Sequence, residues 1–257
     1  MRRIGTVLAA LALVLGATSS VAPTYAGSAP QRHRAVVEKR VIGRSVQGRP
    51  IVAWHLGEQG RPGTARVLLI ATMHGNESAP AQTLRALRDG DPILGVDLWV
   101  VPTYNPDGLA AGTRRNAHDV DLNRNYPFHW ANLDGNYESG SKPASEPETR
   151  AMMKFLREIH PQWILSYHQP LNGVDTDTKR PRFARKVARA LHLPSKSFTC
   201  GGVCHGTMTG WYNSHFAGNA LTVEYGAHPG RKRMRVTAPR QVLSIFGAWR
   251  GDYGFQH

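Results

Sequence analysis

One apolar run constrains the fold of this chain more than any other stretch, because a polar pair follows it at once. Val67-Leu-Leu-Ile-Ala71 has the length and composition of a buried β-strand. His74 and Glu77 come next, separated by the turn-forming pair Gly75-Asn76. An imidazole and a carboxylate therefore emerge together at the C-terminal end of a strand, which is where open α/β sheets place their ligand sites.

The remaining periodicity predicts strands that alternate with helices. We expect paired strands on either side of Gln47-Gly48, a helix after Pro80, and a long irregular region from Thr103 to Ser145. The other predicted strands are 66–71, 96–101, 162–167 and 220–224, and the other predicted helices are 146–159, 180–191, 208–216 and 239–250. This order predicts a single α/β domain, a three-layer sandwich with a mixed sheet and helices on both faces.

The first 26 residues have the pattern of a signal peptide. Arg2-Arg3 precedes the apolar stretch Ile4–Gly16, and Thr24-Tyr25-Ala26 fits a cleavage site. Thirteen apolar residues are too few for a membrane span, which needs about 20. We therefore predict a signal peptide at 1–26, a basic N-terminal arm at 27–40, a catalytic domain at 41–257, and a mature protein that is secreted or held in the cell wall without a transmembrane anchor.

Two cysteines, Cys200 and Cys204, are present in the whole sequence. In an exported protein two cysteines usually pair, and the intervening glycines allow a tight loop. A zinc ligand pair is the alternative, but Cys-x₃-Cys without a second pair matches such sites poorly. We predict a disulfide.

The formal charge is +14, and it becomes +12 when Arg2 and Arg3 leave with the signal peptide. A basic exported protein favours acidic surroundings, such as anionic cell-wall polymers or lipid surfaces. Nucleic acid is not an expected partner, because the chain has no nucleic-acid-binding motif and carries an export signal. The simpler alternative is that the positive charge only keeps the protein soluble and binds no specific partner.

Polar residues also end two later strands. His168 follows Ile164–Tyr167, and Glu224 follows Leu221–Val223. His168 would complete a set of two histidines and one glutamate, which is an open catalytic zinc site with one position left for water. A buried carboxylate at Glu224 is costly unless it is paired or functional, so we predict that it is the general base.

The stretch Asp121-Leu-Asn-Arg-Asn-Tyr-Pro127, with Arg114 upstream, is the other dense polar motif. One arginine can stabilise the oxyanion of a tetrahedral intermediate. Another, together with an asparagine, can hold a substrate carboxylate by a forked contact. A solvated surface loop is the alternative interpretation.

Taken together, these residues resemble the zinc carboxypeptidase family. The matching pieces follow the family's order over most of residues 40–250 and are His74-Gly-Asn-Glu77, Asn105-Pro-Asp-Gly108, Asp121-Leu-Asn-Arg-Asn125, Tyr167-His168 and Thr222-Val-Glu224. The resemblance implies a mixed eight-stranded sheet between helices and one zinc ion per chain.

The resemblance also implies a role for each matching residue. His74, Glu77 and His168 match the zinc ligands, and Glu224 matches the general base. Arg114 matches the arginine that polarises the carbonyl, with Arg115 as the runner-up, and Asn123 and Arg124 match the pair that binds the substrate carboxylate. Thr209 falls near the family's specificity position.

One departure from the family concerns a tyrosine that closes over the substrate in its digestive members, some 22 residues before the base. Counting back from Glu224 reaches Gly202, so this tyrosine is missing, although the matching Trp211 is present.

Within the family the chain most resembles the murein peptide amidases, through Thr113-Arg-x-Asn116, Asp121–Pro127 and His168-Gln-Pro-Leu171. Those enzymes cut the γ-D-glutamyl to meso-diaminopimelate bond of wall peptides. The resemblance therefore implies a peptide or peptidoglycan-peptide substrate, or the activity of a metallocarboxypeptidase.

Three other functions are compatible with parts of the sequence. Deacylases of the succinylglutamate desuccinylase and aspartoacylase type share His-Gly-Asn-Glu, but Arg114-x-Asn116 and the export signal favour a peptidase. A wall-binding protein without activity would not need an intact ligand set and base. A serine hydrolase at Ser214-His215 fails, because adjacent residues cannot supply the geometry between base and nucleophile.

Overall fold

The computed structural model describes residues 35–58, 60–200 and 202–251. The signal peptide predicted for residues 1–26 lies outside this part of the chain. The strands within it are β1 (Val36–Arg44), β2 (Pro50–Gly57), β3 (Arg66–Ile70), β4 (Ile93–Leu94), β5 (Asp97–Val101), β6 (Trp163–His168), β7 (Leu171–Asp175), β8 (Ser195–Lys196), β9 (Asn219–Gly226) and β10 (Trp249–Arg250). The α-helices are α1 (Ala81–Asp89), α2 (Pro106–Ala111), α3 (Pro147–Ile159), α4 (Pro181–Leu191), α5 (Met208–His215) and α6 (Ala238–Ile245). Single turns of 3₁₀-helix cover Leu122–Arg124 and Gly135–Tyr137, and a π-helical turn covers Arg233–Thr237.

Eight strands form one mixed sheet in the order β1-β2-β5-β3-β6-β9-β7-β8. The four central strands β5, β3, β6 and β9 are parallel. The pairings β1–β2, β2–β5 and β7–β9 are antiparallel, and the edge strand β8 pairs with β7 in parallel. This architecture confirms the predicted three-layer α/β fold. Because the central strands are parallel, their C-terminal ends lie at one edge of the sheet, and the polar residues that follow them meet there.

The side chains of β3 show how the layers are built. Val67 and Leu69 face the cluster that contains α1, α4 and α6, whereas Leu68 and Ile70 face the cluster that contains α3 and α5. This alternation follows from the period of two along a strand. The apolar composition of β3 therefore reflects helices on both faces of the sheet.

Strands β4, β7, β8 and β10 are not among the predicted strands, and three further segments differ from the sequence-based expectation. The first strand begins at Val36, so residues 36–40 pair with β2 and do not belong to the predicted basic arm. The region 103–145 contains the short helix α2, which begins after the N-cap Asn105 and ends at Gly112 with φ of 68°. The closing helix ends at Ile245 rather than Arg250, since Gly247 takes a positive φ of 66° and the chain then pairs with β4.

No helix among the described residues is both long enough and apolar enough to span a lipid bilayer.

Candidate active site

His74, Glu77 and His168 converge on one point at the C-terminal edge of the sheet, and all three are buried. The Nδ1 atom of His74 lies 2.8 Å from Glu77 Oε1, and the Nδ1 atom of His168 lies 3.0 Å from Glu77 Oε2. The two Nδ1 atoms are 3.2 Å apart. Ligands at ~2.0–2.2 Å from a tetrahedral zinc ion lie roughly 3.3 Å from one another, so the set has the spacing of a zinc site.

The outer ring nitrogens of both histidines have partners of their own. His74 Nε2 lies 3.1 Å from Asp121 Oδ1, and His168 Nε2 lies 3.0 Å from Ser166 Oγ. The Asp121 carboxylate accepts hydrogen bonds, so His74 Nε2 carries the hydrogen and Nδ1 offers its lone pair to the metal position. Asp121 and Ser166 were not assigned from the sequence. Asp121 could have been, because it opens the Asp-Leu-Asn-Arg motif.

Opposing effects set the charge state of the buried acids. Burial alone would raise the pKa of Glu77, but hydrogen bonds with His168 and His74 outweigh it and hold that pKa well below its ordinary value. Burial likewise opposes the ionisation of Asp121, yet the charge and hydrogen bond of His74, together with Arg114, lower its pKa strongly. Both groups are therefore carboxylates at neutral pH, as a ligand and its supporting acid need to be.

Glu224 has the opposite tendency. It lies on β9 directly beside His168 of β6 in the parallel register, and it is 8% exposed. Its Oε2 accepts a hydrogen bond of 3.2 Å from the backbone nitrogen of Leu171. Burial raises the pKa of Glu224, and the nearby Glu77 charge acts in the same direction. Two neighbouring acids with pKa values shifted in opposite directions are typical of catalytic sites.

Arg114 contacts the metal set directly. Its Nη1 donates to Glu77 Oε1 at 3.2 Å, and its Nε and Nη2 donate to Asp121 Oδ2 at 3.0 and 2.8 Å. Arg115, the alternative considered from the sequence, donates to Gly135 O and pairs with Asp119. The structure thus brings Arg114 into the site.

The backbone reinforces this arrangement. Gly75 N donates to Arg114 O at 3.3 Å, and Asn76 N donates to Thr113 O at 3.1 Å. A Cβ atom on Gly75 would lie 1.9 Å from the carbonyl carbon of Gly108, so glycine is required for this close approach. The turn between His74 and Glu77 is therefore hydrogen-bonded to the segment that carries Arg114.

Asn123 and Arg124 line the same cavity as the metal set. Asn123 Oδ1 accepts a hydrogen bond of 3.1 Å from Met208 N, which leaves its amide NH₂ as the group available to a ligand. Arg124 Nη1 donates to Asn123 O at 2.7 Å. The ring of Tyr137, which the sequence did not single out, lies 5.0 Å from the guanidinium carbon of Arg124 and 5.7 Å from that of Arg114.

The cavity has a volume of about 960 Å³. Thr209, at the start of α5, lies in its wall, as does the loop closed by Cys200 and Cys204. The sulfurs of these cysteines are 2.07 Å apart, which confirms the predicted disulfide. All the predicted site residues therefore border one cavity, which lies on the α3/α5 side of the sheet.

Comparison with known families agrees with this geometry. Residues 24–173 match the family model described as zinc carboxypeptidase. The chain belongs to the zinc carboxypeptidase family. It is thus a metallopeptidase of the zinc carboxypeptidase type, and zinc is the metal that its His-Glu-His set fits.

Murein peptide amidases are among the proteins that this chain resembles in sequence. Murein peptide amidase A of Escherichia coli K12 is 35% identical over 167 residues, which cover 59% of this chain and 67% of that protein. Murein peptide amidase A of Vibrio campbellii is 28% identical over 181 residues, covering 64% and 71% of the two chains.

Solved structures of a murein-tripeptide amidase and of a carboxypeptidase have the same fold. The murein-tripeptide amidase of Escherichia coli O157 superposes with a TM-score of 0.67 and 26% identity, covering 87% of this chain and 97% of that one. Carboxypeptidase A of Helicoverpa armigera superposes with a TM-score of 0.68 over 83% of this chain and 68% of that one. At 17% identity the latter supports the fold alone.

Proposed function

We propose that this protein hydrolyses an amide bond next to a free carboxylate, in peptides derived from peptidoglycan. The bond we favour is the γ-D-glutamyl to meso-diaminopimelate amide, and release of a C-terminal residue as a metallocarboxypeptidase is the broader form of the same chemistry. One observation carries the proposal: the metal set, Glu224 and the pair Asn123 and Arg124 border a single cavity.

His74, Glu77 and His168 would hold the zinc ion. When bound, zinc supplies a Lewis acid and lowers the pKa of water so that it can attack at neutral pH. Glu224 is the acid beside this position, and its raised pKa suits a group that takes a proton from the attacking water and returns it to the leaving amine.

Arg114 is assigned to the carbonyl oxygen. Three of its five N–H groups are engaged by Asp121 and Glu77, which fixes the guanidinium at the edge of the metal set. The remaining donors can stabilise negative charge that develops on the oxygen during attack.

Asn123 and Arg124 are assigned to the substrate carboxylate. An amide NH₂ and a guanidinium side by side offer the forked set of donors that a carboxylate prefers. Thr209 in the cavity wall is assigned a contact with the side chain of the residue that follows the cut bond.

We favour a wall peptide as the substrate because this chain is similar to murein peptide amidases over about two thirds of their length. The predicted signal peptide directs the protein out of the cytoplasm. The Cys200–Cys204 disulfide agrees with this location, since disulfides are typical of exported proteins. Secretion into the medium or retention in the wall follows, with anionic wall polymers as further partners. Sequencing the N-terminus of the exported protein tests this, with Gly27 as the expected first residue.

Mass spectrometry of products from a defined peptide panel tests the activity. The panel holds L-Ala-γ-D-Glu-meso-diaminopimelate, the same tripeptide amidated at the carboxylate next to the cut bond, an ordinary tripeptide and an N-acyl amino acid. We expect cleavage of the first compound, loss of that cleavage on chelation, and its return with zinc.

Two results would contradict the proposal. Cleavage of the N-acyl amino acid in preference to every peptide would assign the chain to deacylation. Cleavage that persists in the fully chelated protein would remove the metal from the reaction.

A further inference from the structure

The charge of this chain is distributed unevenly. From Thr178 to Gly251 the sequence contains thirteen lysines and arginines but a single acidic residue, Glu224. Glu224 is buried at the catalytic cavity, so it does not neutralise the surface of this part of the protein. Any carboxylate that neutralises these cations must therefore come from outside this segment, as Asp91 does for Arg250.

Helix α4 carries a line of these cations. Arg182, Arg185 and Arg189 are exposed, whereas Ala184, Val187 and Leu191 on the other side of the helix are buried. The spacing of three and four residues places the arginines on one face of the helix, over about 10 Å of its length. No ion pair involves them within residues 35–58, 60–200 and 202–251.

A second group of cations lies beside this helix. Helix α6 packs against α4, and Arg233 Nη2 donates to Leu191 O at 3.0 Å at the C-terminal end of α4. Around Arg233 four further cations are exposed, namely Arg231, Lys232, Arg235 and Arg240. We call these four, together with Arg182, Arg185 and Arg189, the basic surface.

The basic surface lies away from the active site. Helices α4 and α6 pack on the sheet face that receives Leu221 and Val223 of β9. The intervening residues Thr222 and Glu224 line the catalytic cavity on the opposite face. A partner on the basic surface would therefore leave the cavity accessible to substrate.

The composition of the basic surface indicates what it would bind. Six of its seven cations are arginines, whose planar guanidinium groups form forked contacts with phosphate oxygens. Their arrangement along a helix suits a linear chain of repeated charges better than one compact anion, since each contact releases a counterion and the gains accumulate.

We propose that the basic surface binds a linear phosphodiester polymer of the cell wall, a polyol phosphate chain, and so holds the enzyme beside its substrate. The identity of the polymer rests on the wall location given under the proposed function. The binding itself depends only on the exposed, unopposed guanidinium groups.

Two triple variants with the same change in net charge test the proposal. The first is R182Q/R185Q/R189Q on α4, and the matched control is R150Q/K154Q/R157Q, exposed cations at helical spacing on α3 across the sheet. Binding of full-length protein to immobilised poly(glycerol phosphate) is measured at several salt concentrations. We expect the α4 variant to bind about tenfold or more weakly with a shallower salt dependence. The control should change less than about twofold, since Lys154 already pairs with Glu158 and Arg157 lies over the ring of Trp211.

Activity on the soluble tripeptide separates this inference from the proposed function. Both triple variants should hydrolyse it at the wild-type rate, because no substituted residue borders the cavity. If neither the wild-type protein nor the variants cleave the tripeptide, the proposed function fails, while the comparison of polymer binding remains valid.

Three results would overturn the inference. The first is equal weakening by both triple variants, which would reduce the effect to net charge. The second is equal binding to polyglutamate, which would remove the preference for phosphate. The third is tighter binding to single-stranded DNA than to poly(glycerol phosphate), which would point to a nucleic acid as the partner.

Discussion

His168 and Glu224 are register partners on the adjacent parallel strands β6 and β9. One belongs to the proposed metal set and the other is the proposed base, so a single ladder of backbone hydrogen bonds sets their separation. Because side chains alternate along a strand, partners in register emerge on the same face of the sheet. The positions of ligand and base therefore follow from strand pairing and do not depend on a loop.

Replacement of Glu224 by glutamine should separate metal binding from turnover. The amide oxygen can still accept the hydrogen bond from Leu171 N, but it cannot carry the proton. We expect zinc content to remain near one ion per chain and kcat to fall by about 10²–10⁴-fold. Elemental analysis and product formation measure the two quantities. A variant with near-normal kcat would show that another group is the base.

Asp121→Asn should weaken zinc binding without removing a ligand. The variant loses the negative charge that fixes the orientation of His74 and pairs with Arg114. Loss of such a supporting partner typically costs about 10–100-fold in metal affinity. Competition with a fluorescent chelator measures the change. Ser166→Ala removes the neutral partner of His168 and is the matched control. It should lower zinc affinity by less than Asp121→Asn does. Equal effects would mean that the charge of Asp121 is unimportant.

Arg124→Ala should weaken binding of substrates that carry a free carboxylate, while leaving the chemistry largely intact. A charge-assisted contact of this kind contributes about 1.5–3 kcal/mol, so we expect KM to rise by roughly one to two orders of magnitude. Steady-state kinetics on the tripeptide and on its amidated analogue provide the comparison. The amidated analogue should be affected little by the substitution. If KM rises equally for the tripeptide and for its amidated analogue, Arg124 does not bind the carboxylate.

Asp97 should control part of the stability at low pH. It pairs with His55 Nε2 and Arg66 Nε, both at 2.7 Å, and only 2% of its surface is exposed. Burial alone would raise the pKa of Asp97, but the hydrogen bonds from His55 and Arg66 outweigh it and lower that pKa. Its stabilising contribution is thus complete above the unfolded-state pKa of about 3.9 and is lost as pH falls through the lower, folded-state value.

The corresponding test is Asp97→Asn, followed by thermal unfolding between pH 7 and pH 2. We expect the free energy of unfolding to fall by about 3 kcal/mol at neutral pH. On acidification it should then fall less in the variant than in the wild type. Asp134→Asn removes an exposed carboxylate and should leave both quantities nearly unchanged. A variant whose acid-side slope equals that of the wild type would exclude Asp97 from this role.

The central strands and the residues at their ends could be predicted from the sequence. The apolar run at β3 has no polar residue to obscure it, and His74, His168 and Glu224 follow or end such runs directly. The C-terminal edge of a parallel sheet then brings them together whatever the intervening loops do. For this reason the fold was predicted correctly, and the three predicted ligands come together as a set that could hold a metal ion.

Other elements lack a local signal of that strength. Strand β7 contains Asn172 at a φ of 52° and Gly173, and it follows Pro170, so its sequence has the composition of a turn. It becomes a strand because it pairs with β9, which is a tertiary effect. The contact of Tyr137 with Arg114 and Arg124 likewise joins residues of separate loops, and no periodicity predicts it.

The backbone hydrogen bonds that join the Gly75-Asn76 turn to Thr113 and Arg114 have an evolutionary consequence. Insertions and deletions between α2 and Arg114 would displace the guanidinium together with His74 and Glu77, so this junction should tolerate almost no change in length. The loop closed by Cys200 and Cys204 borders the cavity, and its described residues, Cys200 and 202–204, make no hydrogen bond to His74, Glu77 or His168. Diversification of substrate preference among related proteins should therefore concentrate in that loop, while the turn and its neighbour keep a constant length.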